Sequence, residues 1–540
     1  MSSPPRKDKN SGYSHTKQPA KYASQRCRLG RKVRLMANDI SELSAACERA
    51  RGLVRQIEPD PTLLQSFALP SGLDVFLKRE DLSTIRSYKW RGAYCRLTAC
   101  LEEGNRGPFV TTSAGNHAQG VALVAARLNV DATIFMPRST PRLKREAVER
   151  HGQGRATIQL VGDSFEQALT AALEFAEQTK ATVLSPFDDL HVVAGQSTVG
   201  SELLEQLPQA DVVFVPVGGG GLASGVSYIV KTLKPDAMVF GVEVVGQDSM
   251  ACSLRYDKRV SLDNVDRFCD GTAVATPGNL TLDICRQFLN GVITVSNEQV
   301  CAAIQTMWEQ SRLVPEPSGG MALAGLLEAA DAGTINPARQ QCVAIVSGGN
   351  TDFLTLPLIV KRAQLVQPSR RFFQFEIEER NGALIGLLDQ FVDGINIVDF
   401  RYGKTGPHAA APVLGLSAQP EQFGPFIDRL RNAGQKFEEV TEHQTTQYRI
   451  IAFRPDLTTH SYFYHIDFPD RPGALRDLMR EVSSLTSICY FNFNDTGQSE
   501  GHALVGFDFS DPEDRHQLCD VLKAKQFAYK EVDIRPLLGV

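Results

Sequence analysis

Leu77-Lys78-Arg79-Glu80-Asp81-Leu82-Ser83-Thr84-Ile85-Arg86-Ser87-Tyr88-Lys89-Trp90-Arg91-Gly92-Ala93 places Lys89 between two aromatic residues at the expected start of a helix. A lysine held in a cleft, its pKa lowered by burial, can form a Schiff base with an aldehyde and later move protons on a bound substrate. By residue type alone a lysine is a solvated surface group. The functional reading of Lys89 therefore depends on what the rest of the chain brings to it.

From Ile40 to about Leu365 the pattern is strand, glycine-containing turn, helix, repeated. Ala132 to Met136, Val212 to Val217, Met238 to Val245 and Val343 to Val346 read as strands. Such runs alternating with amphipathic helices predict an α/β fold, a parallel sheet with helices on both faces. One helix is expected to begin near His117, with Val121, Val124, Ala125 and Leu128 on the face that packs inward.

Three loops follow expected strands, where open parallel sheets bind ligands. Thr112-Ser113-Ala114-Gly115-Asn116-His117 leads into the helix just described, so its N–H groups suit an anion such as a carboxylate. The plainer reading is a helix entry capped by Ser113 or Asn116, with His117 structural. Val217-Gly218-Gly219-Gly220-Gly221-Leu222-Ala223 can wrap a phosphate against a helix N-terminus. It also satisfies Gly-x-Gly-x-x-Ala with Glu243 about twenty residues on, which keeps a nucleotide-binding dehydrogenase as an alternative. In Ile345-Val346-Ser347-Gly348-Gly349-Asn350, the Ser347 hydroxyl could meet a ring nitrogen or simply cap a turn.

The 540 residues are 42% hydrophobic and 22% charged, with net charge −5. That length suggests three or four domains, and the charge favours neither nucleic acid nor an acidic membrane as partner. No run approaches the ~20 apolar residues of a membrane-spanning helix. The 11 cysteines lack any Cys-x-x-Cys, which points to buried thiols in a reducing compartment and away from disulfides or a zinc site. Residues 1–38 are basic, with Asp8 their only acid, and read as a disordered tail. A cytoplasmic location is expected, the alternative being that this segment directs the chain to an organelle.

After Leu365 an internal repeat appears. Phe372 to Leu384, with Arg380-Asn381-Gly382-Ala383, matches Phe463 to Leu475, with Arg471-Pro472-Gly473-Ala474, at an offset of 91 residues. Two copies of a small α+β unit are the economical interpretation.

Ser87-Tyr88-Lys89-Trp90-Arg91-Gly92-Ala93, Ser113 to Gly120, Gly218 to Gly221, Glu316-Pro317-Ser318-Gly319 and Ser347 to Asn350 occur together and in this order. From about residue 40 onward the chain resembles the biosynthetic threonine dehydratases, members of the fold type II family of pyridoxal-phosphate enzymes. The resemblance implies a catalytic region of two open parallel-sheet subdomains over 39–365. Two ACT-like regulatory units would follow, over 366–458 and 459–540.

The same resemblance implies that Lys89 is the Schiff-base lysine and that Asn116 bonds the cofactor's 3-hydroxyl. Gly218, Gly219, Gly220 and Gly221 would hold its phosphate and Ser347 would face the pyridine nitrogen. The substrate would lie against Ser113, Ala114, Asn116 and His117. The implied reaction takes L-threonine to 2-oxobutanoate and ammonia, or L-serine to pyruvate. L-isoleucine would inhibit, L-valine would relieve the inhibition, and the assembly would be a homotetramer without a metal. Serine racemases, close relatives, carry a second serine where this chain has Ala114, so elimination is expected over racemisation. Ser197 and Gly320 stand where glycine and alanine are usual, and Ser197 is expected to reshape a loop beside the cofactor. Asn381 replaces the usual proline in the first copy of the repeat.

Overall fold

The computed structural model describes residues 37–532 except 367–368, 381, 393, 442, 444–445, 447–448, 450, 452, 470–473, 483–484, 495–499 and 526. A helix, Ala37–Val54, begins inside the stretch read as a tail. The remainder of that tail, and Asn381, lie outside the described residues. The chain divides into two compact units, Met1–Phe353 and Leu354–Val540.

The strands of the first unit are β1 (Leu64–Ala68), β2 (Asp74–Arg79), β3 (Phe109–Thr112), β4 (Ala132–Met136), β5 (Ala156–Leu160), β6 (Thr182–Val183), β7 (Val212–Pro216), β8 (Met238–Val244), β9 (Gly291–Val295) and β10 (Cys342–Val346). They form a six-stranded sheet in the order β1-β2-β10-β7-β8-β9 and a four-stranded sheet in the order β5-β4-β3-β6. The two parallel sheets that the resemblance implied are present, with β1 added antiparallel on one edge. Every residue of β7 and β10 is buried, because central parallel strands are covered on both faces. That is why they read as unbroken apolar runs.

The helix Lys89–Glu102 is clamped from two sides. On one, Gly120 of the helix Asn116–Leu128 lets that helix approach until a Cβ would stand 3.1 Å from the Trp90 nitrogen. On the other, a Cβ at Gly195 of the helix Leu190–Gln206 would lie 2.5 Å from the Arg91 carbonyl. A closed charge cluster pins the same helix. Arg91 pairs with Glu80 at 2.9 Å and with Glu202 at 2.6 Å. Lys78 Nζ meets Glu202 at 3.0 Å and donates to the Thr62 carbonyl at 2.7 Å.

The expectation for Ser197 is corrected. It lies inside the helix Leu190–Gln206, fully buried, with Oγ donating to the Ala194 carbonyl at 2.7 Å. Its backbone packs against Gly225 of a neighbouring helix, so it shapes a helix contact and not a loop. At Gly320 the room a methyl would take is filled by Ile304, 2.6 Å from where the Cβ would be.

The second unit contains β11 (Arg370–Phe375), β12 (Ile377–Glu378), β13 (Asn396–Gly403), β14 (Ala409–Ala410), β15 (Val413–Ser417), β16 (Phe437–Glu439), β17 (His460–Pro469), β18 (Ser487–Asn494), β19 (Glu500–Phe509) and β20 (Ala528–Glu531). Each copy of the repeat folds as β-α-β-β-α-β, the first carrying the short pair β12 and β14 in addition. Helices starting at Ala383 and Ala474, and strands starting at Asn396 and Ser487, keep the 91-residue offset. The copies share a single sheet, β16-β11-β15-β13-β18-β19-β17-β20, and one apolar core that includes Phe373, Phe400, Phe491 and Phe507. Pairing β13 with β18 removes the open edge each copy would otherwise present.

Candidate active site

Lys89 is the first residue of its helix. The turn before it puts Arg86 at φ 55, a left-handed conformation that costs a non-glycine residue on the order of 1–3 kcal/mol. The loop after β10 holds that turn in place: Gly349 N–H donates to the Arg86 carbonyl at 2.9 Å, and Tyr88 N–H to the Ser347 carbonyl at 3.3 Å. Lys89 Nζ donates to the Pro186 carbonyl at 3.2 Å and stands 5.3 Å from the centroid of the Tyr88 ring. Burial pushes its pKa down to about 8, with the Glu316 carboxylate pulling the other way. A lysine so placed becomes largely an amine above about pH 8, well below the range of an ordinary lysine, as a nucleophile or base requires.

The helix Asn116–Leu128 is capped by Gly115 with no side-chain bond, so neither Ser113 nor Asn116 is its cap. Asn116 sits one residue too far in, and Ser113 Oγ instead accepts from Gly115 N–H at 3.2 Å. Ala114 lies between them, partly exposed. His117 is buried, with Nε2 3.1 Å from Thr111 Oγ1 and 3.3 Å from the Leu184 carbonyl. Burial, with the charge of Lys89 adding to it, pushes His117 down to about 3 and keeps it neutral.

Gly218 to Gly221 run from β7 into the helix Gly221–Leu233, with Gly220 at φ 95 as its cap. A Cβ at Gly219 would lie 2.4 Å from the Phe187 ring, and one at Gly220 would lie 2.7 Å from Met250 Cε. The loop is a bare backbone cradle at a helix N-terminus, suited to a phosphate. Phe187, which covers it, is the neighbour of Pro186, whose carbonyl holds the Lys89 amine. Ser347 is buried at the end of β10, with Oγ 3.4 Å from the Ser318 carbonyl.

A chain of hydrogen bonds joins these segments. Asn350 Nδ2 donates to the Ile85 carbonyl at 2.8 Å and to Asn116 Oδ1 at 2.7 Å. Asn116 Nδ2 donates to Glu316 Oε1 at 2.7 Å, and Glu316 N–H donates to the Gly348 carbonyl at 3.1 Å. Lys89, Asn116 and Ser347 are thereby brought to one place.

Glu243, the acid expected of a dinucleotide fingerprint, is fully buried in β8. Its oxygens accept from the N–H groups of Met250 at 2.9 Å and Ala251 at 2.7 Å. It is spent on the start of a short helix and cannot reach a ribose. Among the described residues no cluster of side chains could hold a metal ion, and no helix is long and apolar enough to cross a membrane.

The family profile described as pyridoxal-phosphate dependent enzyme matches residues 55–348, and that of the C-terminal regulatory domain of threonine dehydratase matches 458–536. A biosynthetic L-threonine dehydratase from Burkholderia multivorans is 33% identical, covering 86% of this chain and 91% of that protein. The chain belongs to the biosynthetic threonine dehydratases. A threonine dehydratase from Nicotiana attenuata is 35% identical over 81% of this chain and 72% of its own length. Among solved structures, the processed form of threonine deaminase isoform 2 from Solanum lycopersicum matches with TM-score 0.57 and 35% identity, covering 62% of this chain and 96% of that one. Maize serine racemase matches with TM-score 0.54 and 30% identity, covering 58% and 96%.

Threonine dehydratases of this family use pyridoxal phosphate, and the site fits it. There is a cradle for the phosphate that no side chain could share, and an amine with a lowered pKa stands beside that cradle's cover. Glu316, Asn350, Pro186 and Phe187 carried no role in the sequence reading. Glu316 stood inside a quoted motif, but nothing in a sequence pattern marks a carboxylate as buried.

Proposed function

We infer that this chain is a pyridoxal-phosphate-dependent threonine dehydratase, converting L-threonine to 2-oxobutanoate and ammonia, and L-serine to pyruvate, in isoleucine biosynthesis. The observation that carries the reading is the hydrogen-bond chain from Ile85 through Asn350 and Asn116 to Glu316, which gathers the lysine, the asparagine and Ser347. In the proposed site Gly218 to Gly221 bind the phosphate with backbone N–H groups, Asn116 bonds the 3-oxygen and Ser347 faces the ring nitrogen. When bound, the cofactor supplies an electron sink for the pair left at the substrate's α-carbon. Ser113, Ala114 and Asn116, with N–H groups at the start of the helix Asn116–Leu128, receive the substrate carboxylate. His117 buttresses that loop. Lys89 Nζ takes the α-proton.

The likeness to maize serine racemase makes racemisation the competing reading. Ala114 offers no hydroxyl to return a proton from the far face, so elimination is favoured. D-serine formed at a rate matching keto-acid release would reverse that choice.

For regulation we propose a site inside the second unit. A cavity of about 240 Å³ is lined by Glu379, Gly382, Ala383, Tyr402, Lys404, Met479 and Ile488, among others. It is smaller than the roughly 300–1,000 Å³ of drug-sized sites and suits a single amino acid. Tyr402 Oη donates to both oxygens of Glu379, at 2.7 and 2.6 Å, and burial holds the Glu379 carboxyl above its usual range. L-isoleucine would place its ammonium at Glu379, its carboxylate at the N-terminus of the helix Ala383–Phe391 and its side chain against Met479 and Ile488. L-valine would compete there. At the 91-residue offset Tyr402 corresponds to Phe493 and Lys404 to Asp495, so the second copy lacks the hydroxyl and reverses the charge of the lysine, and one such site per chain is expected.

A homotetramer in the cytoplasm completes the reading. Related threonine dehydratases are described as mitochondrial in Schizosaccharomyces pombe and chloroplastic in Arabidopsis thaliana, which keeps organelle targeting by residues 1–38 as the alternative. The deciding experiment is 2-oxobutanoate release from L-threonine with and without L-isoleucine. Release that isoleucine suppresses supports chemistry and regulation together. Unaffected release keeps the dehydratase and removes the effector site, and no release overturns the catalytic reading.

A further inference from the structure

Glu316 is only 5% exposed, yet its carboxylate sits in space kept open for it. Oε1 lies 2.4 Å from where a Cβ on Gly348 would stand and 3.5 Å from one on Gly271, so a methyl at 348 would displace it. Its acceptance of the Asn116 Nδ2 proton, together with Asn350's donation to Asn116 Oδ1, fixes which way the Asn116 amide faces. Nδ2 carries two N–H groups, so one remains for a ligand. An apolar residue at 316 would leave Asn350 alone to hold that amide.

The charged and titratable groups around the pair are few. Asp270 acts on Glu316 but is held by Lys144 at 2.6 Å. Tyr88 flanks the lysine, its phenol pushed above its usual range first by burial and then by Glu316. His117 on the other helix is neutral. Burial raises Glu316 to about 7 and lowers Lys89 to about 8, and the Glu316 carboxylate draws Lys89 back toward its charged form.

We propose that Glu316 is a positioning residue for the reaction: its carboxylate fixes the amide of Asn116 and supplies the counter-charge for the proton that Lys89 Nζ takes from the substrate. The proposal rests on the roles given above to Lys89 and Asn116. In the step concerned the α C–H bond breaks and the proton alone passes to Nζ, turning amine into ammonium. The electron pair stays with the substrate carbon, for which pyridoxal phosphate, when bound, would supply the electron sink. The Glu316 carboxylate favours the charged form of Lys89, so it offsets the ammonium as it forms.

The test is the holoenzyme carrying Glu316→Gln, which keeps shape and hydrogen bonding and removes the charge. The readouts are the pH titration of the bound cofactor's visible absorption band and the pH profile of kcat/KM. Removing a negative charge disfavours the protonated nitrogen, so both midpoints are expected to fall by about one pH unit, a tenfold change in the protonation ratio. Gly348→Ala, which displaces the carboxylate without neutralising it, is expected to shift the absorption midpoint in the same direction. A Glu316→Gln titration that superimposes on that of the unaltered enzyme overturns the proposal, whatever the loss of activity. Lys89→Ala separates the two levels. If it still holds the cofactor covalently, the role of Lys89 itself fails. If it does not, while Glu316→Gln leaves the midpoints unmoved, only the present inference fails.

Discussion

Arg401 of the first copy and Asn492 of the second, 91 residues apart in sequence, stand directly opposite each other where β13 meets β18. Around them Phe400 faces Phe493 and Tyr402 faces Phe491, so each residue meets the partner of its own mirror position. A local twofold axis therefore passes through the Arg401–Asn492 pair. The backbones obey it and the side chains have diverged.

Divergence put a buried charge at that axis. Asp399 accepts from Arg401 at 2.7 Å and from Arg449 at 3.1 Å, and Arg449 also reaches Asn492. Asp399→Ala is expected to destabilise the second unit by about 3–5 kcal/mol, because a buried guanidinium loses its carboxylate. Denaturant unfolding followed by tyrosine fluorescence measures it.

Glu202 joins two buried cations of the first unit, Lys78 and Arg91. Glu202→Ala should cost about 3–5 kcal/mol and loosen the helix that carries Lys89. A fall in Tm accompanied by weaker cofactor retention is the expected pair of results.

Cofactor uptake by the stripped protein should depend on pH through Lys89. Its amine is protonated below about 8 and neutral above it, so the uptake rate is expected to rise as pH increases through that value and then level. Stopped-flow absorbance between pH 6.5 and 9.5 follows it, and a rate that fell across this window would contradict the placement of the amine.

Ser197→Gly restores the residue usual in the family. The variant gives up the bond to Ala194 and adds a glycine to a helix interior, at a cost of about 1 kcal/mol. Because Ser197 is packed between helices, Tm should fall slightly while KM for threonine stays the same.

Tyr402→Phe removes the hydroxyl that orients Glu379. A hydrogen bond to a charged group is worth about 1.5 kcal/mol, so half-inhibition should need about tenfold more isoleucine. An unchanged inhibition curve would place the effector elsewhere.

The sequence by itself determined the parallel strand-and-helix pattern, the duplicated α+β unit and the glycine loops that follow the strands. Those follow from periodicity, from glycines where backbone must approach a ligand and from repetition, all of which are local or self-referential. Ser197 shows where that legibility stops, since whether it lay in a loop or between two helices depended on Gly225, distant in the chain. Glu243 shows the same for chemistry: the fingerprint's acid was present, and only the fold revealed that two backbone N–H groups had claimed it. Tertiary structure alone decided that Glu316, 200 residues from Asn116, is buried against it. Burial and charge proximity are properties of space, and they set which carboxylates and amines hold their protons near neutral pH.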